Sequence, residues 1–152
     1  TIGLQTWTWG VSQKATGKAP VYSYYFNQSG PPLTAYTTAA IHVSEVPYVF
    51  QNLVPKMAAA GPQAGVTVLP AAQDVALADV MSSYWTNFAK TSNPNGAGLA
   101  AWPAYAGAGG QGMNLGTTVA AMPEAGTARL ARYQFLNGFR SATGSLMIRF
   151  LP

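Results

Sequence analysis

Apolar residues recur every three to four positions over several stretches of the chain, a spacing typical of amphipathic helices. It predicts a helix over residues 2–16 and a long helix over residues 72–90. A shorter helix is expected over 47–53, with proline in its first turn, and another over 124–137. Three glycine- or proline-containing segments are expected to end these helices: Gly17, Asn93-Pro94-Asn95-Gly96 and Gly138.

One segment has a clear strand pattern. Residues 21–26 are mostly β-branched or aromatic, and Pro20 bounds them on one side. A second, short strand is expected over 113–115, whereas residues 55–70 are rich in alanine, glycine and proline and are interpreted as a loop. Helices that alternate with few strands favour the α/β class.

The helix over 72–90 is expected to bury a stripe of large apolar side chains: Leu77, Val80, Met81, Tyr84 and Phe88. It also carries Asp74 and Asp79, which lie about 140° apart around a helix. Two carboxylates placed in this way do not converge on one substrate atom, so we interpret them as solvated residues near the helix start.

The amino-acid composition excludes several classes of protein to which the chain could belong. The chain has 152 residues, 49% apolar and 8% charged, which fits one packed domain and excludes a disordered tail. A net charge of +4 comes from scattered lysines and arginines, so nucleic-acid binding is not expected. The absence of cysteine excludes disulfides and thiolate metal sites. We also expect no membrane span, since apolar runs are short, and see no signal-peptide pattern after Thr1.

Several motifs for catalysis or cofactor binding are weak or missing. Gly107, Gly109 and Gly112 form a G-x-G-x-x-G, but no strong strand precedes it and no helix start follows, so we interpret it as a flexible loop. No G-x-S-x-G occurs. One histidine, His42, and four acidic residues provide no metal-ligand spacing, so neither a metal nor a cofactor is expected. Taken alone, His42 is more often a structural than a catalytic residue.

The neighbours of His42 change that interpretation. Residues 40–50 read A-I-H-V-S-E-V-P-Y-V-F and resemble the histidine loop of the type-B carboxylesterase and cholinesterase family. Four further blocks resemble that family in the same order: VY-x-Y-x-F at 21–26, the block from D-x-M to P-N-G at 79–96, W-P-x-Y at 102–105 and M-x-L at 113–115. Five ordered blocks are far more specific than any single motif.

This resemblance implies the C-terminal portion of an α/β-hydrolase fold, with few strands and packed helices, that lacks the half carrying the nucleophile elbow. Residues 1–152 would form a single, partial domain. By resemblance, His42 is the general base of a Ser–Glu/Asp–His triad whose serine and acid are absent from the chain. Glu45 also matches a family position, and we expect it to support the loop or cap the following helix rather than act as the triad acid.

Three functional alternatives remain at this point. The chain is part of a carboxylic-ester hydrolase, a non-catalytic self-associating remnant, or a small stand-alone esterase that uses Ser44 or another serine near His42. In the first case a small ester would bind only after completion by the N-terminal part, and residues 1–152 by themselves would be inactive. The expected partners are a second copy or that missing portion, and the resemblance slightly favours a secreted or periplasmic location.

Overall fold

The computed structural model describes residues 2–28, 40, 42–53, 56–57, 67–124 and 127–142. Four helices alternate with short strands: α1 (Ile2–Thr16), β1 (Tyr24–Phe26), α2 (Val46–Val49), β2 (Lys56–Met57), β3 (Thr67–Val68), α3 (Ala72–Thr91), β4 (Gln111–Leu115), β5 (Ala120–Pro123) and α4 (Ala128–Ala142). This mixture agrees with the predicted α/β class. The chain divides into two compact units, and the single-domain assignment stays a prediction.

The first unit contains α1 and α4, within residues 1–23, 103–112 and 122–152. The two helices pack together, with the rings of Trp7 and Tyr133 at a centroid distance of 5.8 Å. The predicted bounds of α1 are confirmed: its last turn closes where the Gly17 N–H donates to the Gln13 carbonyl at 2.7 Å.

Helix α4 starts and ends later than predicted. The Thr127 hydroxyl accepts a hydrogen bond from the Leu130 N–H at 3.2 Å, so Thr127 satisfies an otherwise unpaired donor at the helix start. Gly138 does not end the helix as expected, because α4 continues through it to Ala142.

The second unit, within residues 24–102 and 113–121, contains β1, α2 and α3. Strand β1 runs parallel to β4, with Tyr24 opposite Met113 and Phe26 opposite Leu115, in a sheet of order β1-β4-β5. The strand is shorter than the predicted 21–26. Pro20 has no N–H to donate, and the Val21 carbonyl accepts a hydrogen bond from the Tyr105 N–H at 2.7 Å instead of joining the ladder.

Helix α3 closely matches its predicted range, and α2 packs against it. Leu77, Met81 and Tyr84 are buried as predicted, whereas Phe88 is exposed in the last turn. Within the predicted loop 55–70, the two short strands β2 and β3 pair antiparallel, and residues 55 and 58–66 lie outside the described residues. None of the described helices is long and apolar enough to cross a membrane.

Candidate active site around His42

His42 lies in a turn between β1 and α2, in the second unit, and its side chain is exposed. The turn spans residues 42–45 and is closed by the Val46 N–H, which donates to the Val43 carbonyl at 3.2 Å. The structure therefore places His42 on a loop after the strand, as predicted. Its solvent-accessible imidazole can meet a reacting group that another part of a protein supplies.

The residue after His42 has an unusual backbone conformation. Val43 has φ of +63°, in the left-handed region that a β-branched residue rarely adopts, and its side chain is 55% exposed. Such a conformation costs about 1–3 kcal/mol and persists where the surrounding structure enforces it. The turn that carries His42 is thus held in a strained geometry.

Glu45 is half-buried at the end of this turn. The expectation that its side chain caps α2 is wrong, because the carboxylate makes no capping hydrogen bond and the Glu45 carbonyl accepts from the N–H groups of Tyr48 and Val49 instead. Its negative charge adds to burial in raising the pKa of Tyr24 in β1, with burial the larger cause.

The most extensive polar cluster near the turn centres on Asp74, in the first turn of α3. Its Oδ1 accepts hydrogen bonds from the Tyr48 hydroxyl and the Gln28 Nε2, each at 2.8 Å. Its Oδ2 accepts the Ala71 N–H at 3.0 Å and so caps the helix, a role that the alanine side chain cannot perform. Burial, followed by the hydrogen bond to Asp74, raises the pKa of the Tyr48 hydroxyl above its ordinary value.

The prediction that both aspartates are solvated is wrong for Asp74, whose side chain is 3% exposed, and right for the exposed Asp79. Buried carboxylates occur where hydrogen bonds replace the lost water, and Asp74 receives three. The sequence patterns did not indicate Gln28 or Tyr48 as partners of Asp74. The one local signal was an acidic residue at the third position of a helix, which is equally typical of a solvated start.

An aromatic cluster supports β1 behind the turn. The Tyr24 ring meets Trp85 at a centroid distance of 5.2 Å and Trp102 at 6.1 Å, both edge-on. The Asn95 side chain binds the backbone of Trp102. It accepts a hydrogen bond from the Trp102 N–H at 2.6 Å and donates one to the Trp102 carbonyl at 3.0 Å. The Asn-Pro-Asn-Gly segment is therefore joined to Trp102, whose ring packs against the strand that precedes His42.

The glycine-rich motif belongs to the first unit and forms a different structure from a phosphate loop. Gly107 and Gly109 have φ of +108° and +82°, and strand β4, rather than a helix, follows them. The Glu124 carboxylate accepts hydrogen bonds from the Gly109 N–H and the Tyr105 hydroxyl, each at 2.9 Å. The glycines thus form a turn that binds a carboxylate of the same chain.

Among the described residues, no group of three or more histidine or acidic side chains is placed to hold a metal ion. Within the described part of the chain no hydrogen bond joins His42 to a nucleophile or an acid, so its catalytic role stays a prediction.

Comparisons with known proteins show which family the sequence matches. The sequence model of the carboxylesterase family matches residues 5–135, which include His42 and the Asp74 cluster. The medium-chain fatty acyl-CoA hydrolase precursor of Anas platyrhynchos is 33% identical over 89 residues, covering 57% of this chain and 14% of that protein. Carboxylesterase 5A of Canis lupus familiaris is 36% identical over 93 residues, covering 57% of this chain and 15% of that protein.

Solved structures agree with the fold. The carboxylesterase EST55 of Geobacillus stearothermophilus aligns with a TM-score of 0.59 at 29% identity, over 82% of this chain and 24% of that one. An esterase of Clostridium hathewayi aligns with a TM-score of 0.63 over 86% of this chain and 24% of that one, and at 23% identity it supports the fold alone. The chain therefore spans about a quarter or less of the length of these relatives.

Proposed function

Because this chain belongs to the carboxylesterase family, we propose that His42 is the general base of an ester-hydrolysing triad whose serine and acid lie outside residues 1–152. The observation that carries the proposal is the family match, which spans His42 together with the A-x-H-x-S-E-x-P-Y-V-F block. Its exposure on the turn before α2 is consistent with that role.

In this chemistry the imidazole takes the proton of the serine hydroxyl while the serine oxygen attacks the ester carbonyl. The same nitrogen then gives the proton to the departing alcohol, and an acyl-enzyme remains. Water hydrolyses this acyl-enzyme by the same two proton transfers. Histidine suits this work because its charge changes near neutral pH. The third group of the triad orients the ring, and Glu45 is not proposed for that role.

The substrate class that we propose is a small carboxylic ester. The relatives named above include a fatty acyl-CoA hydrolase and carboxylesterases, all of which cleave an acyl group from a leaving group. Residues 1–152 contain no G-x-S-x-G, which supports a nucleophile supplied by another segment.

The test uses the protein encoded by the complete reading frame that contains residues 1–152, assayed with p-nitrophenyl acetate and butyrate. We expect His42→Gln to lower kcat/KM at least about 10²-fold, the lower end of what general-base catalysis contributes. Ser44→Ala, on the same turn, serves as the matched control and should retain most of the activity. Loss of activity in Ser44→Ala as well as in His42→Gln would favour the stand-alone esterase alternative, and parental activity in His42→Gln would contradict the proposal.

A second candidate role, self-association, is favoured by the position of β1. Within the part of the chain that the structure describes, β1 is the terminal strand of its sheet, and its Tyr24 side chain is 41% exposed. Terminal strands readily pair with another chain, and the chain has little net charge to oppose association. Light scattering on residues 1–152 should give a mass above the 15.9 kDa of one chain, and a clean monomer would contradict this role.

A further inference from the structure

Asp74 joins three segments that are far apart in sequence. Its carboxylate takes hydrogen bonds from Gln28, just after β1, from Tyr48 in α2 and from the backbone of Ala71 before α3. The side chains of Gln28 and Asp74 are each 3% exposed and that of Tyr48 is 7% exposed. These contacts therefore lie away from water, where a hydrogen bond is stronger and a missing one is costly.

The two side chains that bind Asp74 lie on either side of His42 in the sequence. His42 lies between Gln28 and Tyr48 along the chain, so Asp74 binds the segment before the histidine and the segment after it. Both bonds end on the same oxygen, Oδ1. Through that atom Asp74 binds Gln28 and Tyr48, the two described residues on either side of His42 in the sequence, which we call the stems of the His42 loop.

Helix capping alone does not require this arrangement. The Ala71 N–H uses only Oδ2, and a solvated acid at the same position would cap equally well. The second oxygen is directed at the loop stems instead. The Tyr48 ring adds a second constraint, since it packs on Phe26 of β1 at a centroid distance of 5.1 Å.

We propose that Asp74 is a positioning residue for His42, fixing both stems of its loop so that the imidazole is held where it can act as a base. This inference rests on the proposed function. Positioning matters because a displacement of about 1 Å in a catalytic group can lower a rate on the order of 10²-fold. Asp74 itself does not touch the reacting atoms.

The inference predicts a specific kinetic pattern in the complete encoded protein. Asp74→Asn replaces one acceptor oxygen by an NH2 donor, so the side chain can no longer accept from the Oδ1 and Oδ2 partners together. We expect kcat per active site to fall about 10- to 100-fold. KM should change little, because Asp74 does not touch the substrate. Tyr48→Phe keeps the ring and removes only the hydroxyl, so it should show a smaller loss of the same kind.

Active sites are counted by titration with an organophosphate, so that a smaller folded fraction does not count as a lower kcat. The matched control is Asp79→Asn, which removes an exposed carboxylate from the same helix, where it accepts only the Gln51 side chain at 2.7 Å. It should match the parent. If Asp74→Asn fails to fold, Tyr48→Phe provides the same measurement.

Parental kcat per titrated site in both Asp74→Asn and Tyr48→Phe, with His42→Gln inactive, overturns the inference alone and leaves the proposed function standing. Full activity in His42→Gln overturns the proposed function, and with it the role of Asp74. A loss per site in the two cluster variants, together with an inactive His42→Gln and an unaffected Asp79→Asn, supports both.

Discussion

Each of the two units contains a carboxylate that accepts a similar set of hydrogen bonds: Asp74 in the second unit and Glu124 in the first. Asp74 accepts a tyrosine hydroxyl, a backbone N–H and a glutamine amide, and Glu124 accepts a tyrosine hydroxyl and a backbone N–H. Asp74 joins residues up to 46 positions apart and is buried, whereas the partners of Glu124 lie within 19 positions and its side chain is half-buried. The same chemistry therefore ties together distant loop stems in one unit and forms a local turn in the other.

The two regions also differ in how they accommodate left-handed backbone. The turn bound by Glu124 uses Gly107 and Gly109, which adopt positive φ at no steric cost, whereas the His42 turn uses Val43. The glycine turn is relaxed and locally closed, while the His42 turn is strained and depends on contacts from elsewhere. The predictions below test this difference.

The largest expected effect is that of Asp74→Ala. It leaves the Tyr48 hydroxyl, the Gln28 amide and the Ala71 N–H without their acceptor, and the first two are buried, so we expect a loss of about 3 kcal/mol in the free energy of unfolding. Urea denaturation followed by circular dichroism measures it. The exposed Asp79→Ala is the control and should stay within about 0.5 kcal/mol of the parent.

Glu124→Ala should cost about half as much, about 1.5 kcal/mol, because only the Tyr105 hydroxyl loses its partner in a buried residue. The Gly109 N–H is half-exposed and can bind water instead. The same urea experiment measures the loss. A cost equal to that of Asp74→Ala would show that the number of buried donors bound by a carboxylate does not decide its contribution.

Both tyrosines should make the protein sensitive to alkali. Burial and then the carboxylate hydrogen bond raise the pKa of Tyr48 and of Tyr105 above the ordinary value of 10. Above about pH 10 the unfolded chain ionises these phenols while the folded chain keeps them protonated, so stability is full below that pH and falls as the pH rises. Each contributes up to about 1.4 kcal/mol per pH unit.

Comparing urea denaturation at pH 9 and pH 11 measures this loss. Tyr48→Phe and Tyr105→Phe should each lose less stability than the parent over that interval. An identical loss in the parent and in either variant would show that the replaced phenol contributes nothing to it.

The smallest expected effect is a gain. Val43→Gly places a residue suited to φ of +63° in the His42 turn, and we expect about 1 kcal/mol of added stability. Ser92→Gly, at the left-handed end of α3 with φ of +59°, is the matched control and should gain less, because serine is not β-branched. A destabilised Val43→Gly in thermal denaturation would mean that the turn is not strained.

How much the sequence could predict depends on the range of the interactions involved. Helices α1 and α3 follow from periodic patterns that lie within each helix, and the resemblance located the loop that carries His42. The burial of Asp74 could not be predicted, because its partners Gln28 and Tyr48 lie 46 and 26 positions away and an acid at a helix start is usually solvated. The glycine spacing at 107–112 was equally ambiguous until Glu124 showed what the turn binds.

The most direct test of the catalytic role of His42 is chemical rescue of His42→Ala in the complete encoded protein. The turn is exposed, so free imidazole can reach the space that the missing ring leaves. We expect His42→Ala to be inactive on p-nitrophenyl butyrate, and added imidazole to restore part of the rate in proportion to its concentration, since it supplies the missing base. Parental activity in His42→Ala without imidazole would contradict the account.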